Sequence, residues 1–451
     1  MAAKSKAVGV GIIGFGTIGT GVVRVLRDQA KAIEERLGYP VKVVRIADLD
    51  TRSDRGVKLG RGVLTKDARK LINDPDVDVV VELIGGLEPA RTFMLEAIEA
   101  GKSVATANKA LLSEHGPELA RAAEKKGVAV GFEASTGGGI PILKVLRESL
   151  AGDENLEVYG IVNGTANYIL TEMSDGRGEF AEVLAAAQEM GLAEADPTYD
   201  VDGIDSLHKL VILVALAFGK RIKPSQVHVE GIRNISTADI AYAKEFGYAI
   251  KLLAVARNRT DGVEARVHAT MVPDTHLLSQ VGGAFNAVCL RGRALGTSIY
   301  YGQGAGMMPT ATAVVADILD AARNMRDGKA GAQLVPTYGR PLKTLRASKV
   351  VPMSSTSHEH YIRLSVADKP GVLAKISSIL GKESISIATV SQHAAPSTGG
   401  SRGVRAVPLI LRTHRAEEAA LKRALTKIGR LGEVRGKPVV IRVEETLGQA
   451  D

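Results

Sequence analysis

Between Gly14 and Gly19 the chain reads GFGTIG, and few short stretches restrict a fold as tightly. Val8 to Ile13, just before it, form a continuous apolar run of strand length. After it Val22, Val23, Val25 and Leu26 recur as on one face of a helix, reaching about Leu37. In that setting each glycine has a job. The first allows a tight turn, the second lets backbone approach a pyrophosphate, and the third lets helix and strand pack closely. The free N–H groups and dipole of the helix N-terminus then favour an anion. The expected fold is α/β with a dinucleotide-binding first domain, and Gly14, Phe15, Gly16, Thr17, Ile18 and Gly19 are its candidate cofactor contacts.

The strands that follow extend this pattern. Val41 to Ala47 ends at Asp48, an acid placed to accept a hydrogen bond from an adenosine ribose. Arg45, Arg52 and Arg55 lie close by and suit a 2′-phosphate, so NAD and NADP both stay open. Val77 to Ile84 runs into Gly85-Gly86, and Ser103 to Thr106 runs into Ala107, Asn108 and Lys109. Ligands of open α/β sheets lie at the carboxyl ends of strands, which directs Lys109 toward the nicotinamide region.

The stretch GLAEADPTYDVDGIDSLHKLVIL, Gly191 to Leu213, carries the densest chemistry. Leu207, Leu210, Val211 and Val214 predict a helix beginning near Asp202 or Gly203, with Asp200 or Asp202 as its N-cap. On it Asp205 and Lys209 are i and i+4 and share a face. An apolar run follows Lys209 at once, so its ammonium is expected where the helix enters the core. Burial there would lower its pKa from about 10.4 toward neutrality and poise it for proton transfer. A solvated ion pair beside an acidic loop is the alternative. VAVGFEASTGGGIPIL, Val128 to Leu143, supplies a glycine-rich loop whose carbonyls, with Glu133, suit a hard cation, although the same composition makes a plain turn.

Composition narrows the function classes. With no tryptophan and only 4 % aromatics, a base-stacking platform for nucleic acid is not expected. The net charge of +8 belongs to the tail. Asp327 to Asp451 holds 20 Lys+Arg against 10 Asp+Glu, scattered singly as on a solvated face. No apolar run reaches the roughly 18 residues of a membrane span. The single cysteine, Cys289, fits a reducing cytoplasm and excludes an internal disulfide.

Taken with NGTANYIL at Asn163 to Leu170, these pieces resemble homoserine dehydrogenase. GFGTIG, ATANKALL, EASTGGGIPIL, VNGTANYIL, the Gly191–Leu213 stretch and GQGAGMMPTATAVVAD at Gly302 to Asp317 occur in one order over most of the first 325 residues. The resemblance implies NAD(P)-dependent interconversion of aspartate semialdehyde and homoserine. It implies that Lys209 is the catalytic proton donor or acceptor and that Lys109 is a second active-site lysine. Glu194 and Asp205 would hold the substrate, and Gly191 and Gly304 would lie near the cofactor. Glu133 with the backbone of Thr136, Gly138 and Ile140 would form a structural monovalent cation (Na+) site. A homodimer or homotetramer is expected, with no nucleic-acid or membrane partner. A thiolate-dependent semialdehyde dehydrogenase is disfavoured, because Cys289 falls in no catalytic match.

Beyond Ala330 the pattern changes. Strands at Tyr361 to Val366, Ser384 to His393, Ala406 to Arg412 and Val439 to Val443, with helices after Gly371 and Ala416, give a ferredoxin-like βαββαβ order. DKPGVLAKISSIL resembles an ACT domain, which implies an amino-acid effector, threonine, near the Asp368–Gly371 turn. The expected organisation is therefore a Rossmann-type domain at 1–140 with about 302–326, an α+β substrate and dimerisation domain at 141–301, a linker at 327–358, and an ACT domain at 359–446. Nothing chemical lies past Asp317, so a chain stopped near Met325 is expected to keep fold and activity, provided oligomer contacts lie in the substrate domain. The competing reading is a non-catalytic Rossmann–ACT sensor, which would have no need of Lys209 or Asp205.

Overall fold

The computed structural model describes residues 7–328, 334–392, 406–445 and 447. Residues 1–6 of the expected first domain, 329–333 of the expected linker, and 393–405 and 446 of the expected ACT domain lie outside the described residues. The chain forms two compact units, each built from separated segments: 1–164, 205–226 and 284–348, and 165–204, 227–283 and 349–451.

The first unit is built on a parallel sheet of β1 (Val8–Ile13), β2 (Val41–Ala47), β3 (Leu64–Thr65), β4 (Val79–Glu82), β5 (Ser103–Thr106) and β6 (Val130–Gly131). Its strand order β3-β2-β1-β4-β5-β6 reverses direction between β1 and β4, at the mouth where GFGTIG lies. β1 and β4 are buried throughout, which is why they read as unbroken apolar runs. The helix after β1 spans Thr17–Asp28 and breaks at Gln29, with a second helix at Ala30–Leu37, where the sequence suggests one. Gly19 serves the close packing expected of it, since a Cβ there would stand 2.1 Å from the Gly14 carbonyl oxygen. The Met307–Arg326 helix packs against the first, and a Cβ on Gly21 would meet the Met307 carbonyl at 2.9 Å. Ala311, Val314 and Ile318 thereby join Val10, Ile12 and Val22 in one core.

The same unit holds an antiparallel trio, Asn155–Ile161, Phe285–Gly292 and Gly296–Gln303. It also holds the Ile204–Phe218 helix, buried without a break from Lys209 onward. That helix lacks a polar face because neither side of it meets water. The stretch read as a linker is no free tether in its described part. Arg346–Ala347 pairs in parallel with Lys220–Arg221, and Tyr338 packs its ring 5.9 Å from that of Phe132.

The second unit contains a hairpin of two twelve-residue strands, Tyr248–Arg259 and Gly262–Pro273. Its C-terminal part follows the expected βαββαβ order. Ser357–Ala367 lies between Val434–Val443 and Ala406–Thr413, with Ile387–Ser391 beyond, and helices Val372–Lys382 and Glu418–Ile428 cover the sheet. Thr270 and Met271 of the hairpin pair in parallel with Arg442 and Val443. Fully buried Arg266 joins them electrically, bonding Glu264 on its own strand and Glu444 past the last strand.

Candidate active site

Lys109 owes its position to the end of β5. Asn108 caps the Lys109–Lys126 helix by accepting the Leu111 N–H at 3.1 Å. Its own amide donates to the Gly86 carbonyl at 2.6 Å, tying the helix start to the loop after β4. Below it buried Glu82 accepts the Thr106 hydroxyl at 2.6 Å and the N–H groups of Ile84 and Gly85. The lysine therefore emerges from a braced strand end.

Asp205 and Lys209 come from the first turns of the Ile204–Phe218 helix. That helix starts one residue past the expected point, because Gly203 turns left-handed (φ 83°) after a short helix at Thr198–Val201. Asp202 caps that short helix at its C-terminal end, and its carboxylate takes the Arg233 guanidinium at 2.6 Å.

The three groups meet. Asp205 Oδ1 lies 2.8 Å from Lys109 Nζ, and Asp205 Oδ2 lies 2.7 Å from Lys209 Nζ. Lys209 also donates to the Val162 carbonyl at 2.6 Å, and the Asn163 amide donates to Asp205 Oδ2 at 2.9 Å. Asp205 is 3 % exposed and Lys209 8 %. Burial by itself would raise the Asp205 carboxyl. The two lysines overcome that and hold it well below the usual carboxylate range. The same contacts stabilise the Lys209 ammonium and oppose the purely apolar burial that the sequence suggests. Sequence reasoning missed Asn163 and the Val162 carbonyl as part of this network, although both belong to the quoted VNGTANYIL stretch. It also missed Ser113, whose hydroxyl lies 2.5 Å from His208 Nδ1 and so joins the two lysine-bearing helices.

The other candidates fall elsewhere. Glu194 and Gly191 belong to the second unit, in an exposed stretch where Gln188 Nε2 donates to the Glu194 carbonyl at 2.9 Å. Gly138 (φ 55°) approaches Gly304 so closely that a Cβ would stand 2.3 Å from its carbonyl oxygen. Glu133 is buried, and burial pushes its carboxyl up to about 7. Its oxygens accept the Leu143 and Lys144 N–H groups at 2.9 and 2.7 Å. Cys289 is buried in a strand and its thiol is pushed up to about 12, which excludes a ready thiolate.

The dinucleotide cradle fits its ligand. Gly16 caps the Thr17–Asp28 helix with no side chain over its N-terminus, and a Cβ there would meet nothing within 4 Å. Gly14 takes φ 101°, where a side chain would also strike the Leu83 carbonyl at 2.7 Å. Asp48 braces the loop by accepting the Phe15 N–H at 2.6 Å, while Arg55 lies over the Phe15 ring, 5.3 Å from its centroid.

Comparison with known proteins agrees with this geometry. Residues 14–133 match the model of the homoserine dehydrogenase NAD-binding domain, 141–319 that of homoserine dehydrogenase, and 360–430 that of the ACT domain. The homoserine dehydrogenase of Pseudomonas aeruginosa is 42 % identical, over 98 % of this chain and 99 % of its own. The chain belongs to the homoserine dehydrogenase family. Homoserine dehydrogenase from Thiobacillus denitrificans superposes with a TM-score of 0.90 at 43 % identity, covering 98 % of this chain and 99 % of that one. A hyperthermophilic archaeal homoserine dehydrogenase in complex with NADPH gives a TM-score of 0.60 at 26 % identity, covering 70 % and 97 %. Family membership makes the chain an oxidoreductase acting between homoserine and aspartate semialdehyde with a nicotinamide cofactor, and the non-catalytic sensor reading is not favoured. Among the described residues, no helix is long and apolar enough to cross a membrane.

Proposed function

We propose that Lys209 transfers the proton of the homoserine dehydrogenase reaction, with Lys109 and Asp205 setting its charge. The bound nicotinamide supplies or accepts the hydride, and the protein's part is orientation and one proton. In the reducing direction the Lys209 ammonium stabilises the developing alkoxide and then protonates it. The observation that carries this reading is one buried carboxylate shared by two lysines. Asp205 gives the two ammonium groups a shared counter-charge, which keeps Lys209 in the cationic form that can stabilise an alkoxide and then protonate it. Asp205 anchors both lysines and, with Glu194, holds the substrate, as the family resemblance implies. NAD(P)H oxidation measured with aspartate semialdehyde, with and without threonine, tests the reading. Absence of turnover would end it.

The finer assignments belong to the same reading. Asp48 serves a ribose hydroxyl, and Arg52 and Arg55 serve a 2′-phosphate. Gly191 and Gly304 border the cofactor. A monovalent cation such as Na+ is held by Glu133, Thr136, Gly138 and Ile140. The partnerless buried hydroxyls of Ser135 and Thr136 support a ligand in that loop. Melting in NaCl against tetramethylammonium chloride at equal ionic strength tests it, and equal midpoints would refute it. The ACT domain takes threonine at the Asp368–Gly371 turn, where Gly371 (φ 86°) opens a helix. Chains pair as homodimers or homotetramers in the cytoplasm. Pairing is supported by Phe285 and Tyr301, exposed and stacked at 5.2 Å beside a sheet edge.

A further inference from the structure

We infer that a cavity behind the catalytic helix binds a small aliphatic carboxylate, a site that goes beyond the dehydrogenase reading and does not depend on it. The cavity, about 500 Å³, lies between the two helices that carry Lys109 and Lys209, on the Leu112–Pro117 and Val211–Ala215 stretches. Its volume falls in the range of small-molecule sites.

The walls divide by chemistry. Leu112, Val211, Ile212 and Ile222 are buried and offer an apolar surface that suits a short hydrocarbon body. Arg221 and Lys223 stand at the rim, and neither has a carboxylate partner among the described residues. One acid, Glu114, opposes them, so the wall keeps a net positive charge. A guanidinium beside an ammonium is a natural receptor for a carboxylate.

A second observation points the same way. Tyr338, also on the wall, is 5 % exposed, and its hydroxyl has no hydrogen-bond partner among the described residues. The oxygen itself is not sealed in the core but opens to the cavity, where a phenol can donate to an anionic ligand. Room for it is made by Gly116, where a Cβ would stand 2.3 Å from the Tyr338 oxygen. The occupant is therefore an anion with a short branched or linear hydrocarbon tail.

Saturation-transfer NMR on the full chain, with sodium isovalerate as probe, decides the matter and needs no turnover. Saturable binding with a Kd of about 1–10 mM is expected. It should persist in saturating homoserine, weaken about tenfold in Arg221→Gln, and weaken also in Tyr338→Phe. Both substitutions leave the fold's core contacts in place, and unchanged melting temperatures will show it. L-Leucine should bind no more tightly than isovalerate. Tighter leucine binding would replace the plain carboxylate with a zwitterion held partly by Glu114 and so overturn the assigned class. Absence of saturation, displacement by homoserine, or equal affinity in all variants would each overturn the site.

Discussion

At the scale of residues, the chemistry rests on how few acceptors serve how many cations. Asp205 faces both lysines, so Asp205→Asn takes the carboxylate away from buried Lys209 and half-buried Lys109. Breaking such a pair costs about 3–5 kcal/mol, and here it should appear as a fall in kcat together with a lower melting temperature. An unchanged kcat would return Asp205 to a structural ion pair. Asn163→Ala should leave cofactor affinity intact and lower kcat by about tenfold, since it removes one charge-assisted hydrogen bond worth about 1.5 kcal/mol. At the adenosine end, Arg55→Ala should raise KM for NADPH and leave that for NADH unchanged. Equal effects on both would remove Arg55 from phosphate recognition. Much of this site was legible in the sequence. The i,i+4 spacing placed Asp205 and Lys209 together, and strand-end logic placed Lys109. The sharing of one carboxylate was not legible, because it joins residues 96 positions apart and periodicity carries no such distance. Asn163 was hidden for a similar reason, since it sits at a strand end and reads locally as a turn residue.

At the scale of elements, the sequence placed the parallel strands and the βαββαβ tail through their apolar periods. It did not reveal how the tail is held. The expectation that a chain stopped near Met325 keeps its fold meets three buried contacts. Arg266 would lose Glu444, Asp239 would lose Arg363 and Tyr361, and the Gly262–Pro273 strand would lose its Val434–Val443 neighbour. Asp239 and Arg266 are both fully buried, so the shortened chain should melt well below the full one or fail to stay in solution. An equal melting temperature would show that the tail is dispensable. Alternating polarity signals a strand but not the ion pairs across its edge, which is why the boundary looked clean. Acid should attack the same attachment. Arg442 bonds Glu230 at 2.8 Å and Glu418 at 2.5 Å. Burial would raise both carboxyls, but their bonds to histidines and Arg442 bring each down to about 2. A depressed carboxyl stabilises the fold above its unfolded value, about 4.3, and that stabilisation is lost as pH falls through the folded value. The melting temperature should therefore drop steeply between about pH 4 and pH 2, and less steeply in Arg442→Gln. Parallel curves would show that the pair contributes nothing.

At the scale of the whole molecule, a hydride enzyme and an ACT domain share one chain. If threonine binds the ACT domain and inhibits, the coupling is worth about 1–3 kcal/mol, and homoserine must weaken threonine binding by the same factor. Calorimetric titration of threonine with and without homoserine checks this, and identical affinities would mean that no coupling exists. The proposed proton transfer at Lys209 is the output that such an effector would change. Its most direct test pairs two readouts on Lys209→Ala: turnover of aspartate semialdehyde, and NAD(P)H affinity from cofactor fluorescence. A kcat about 10²–10⁴-fold lower with near-normal cofactor affinity is the predicted result. A kcat close to that of the unaltered chain would contradict it.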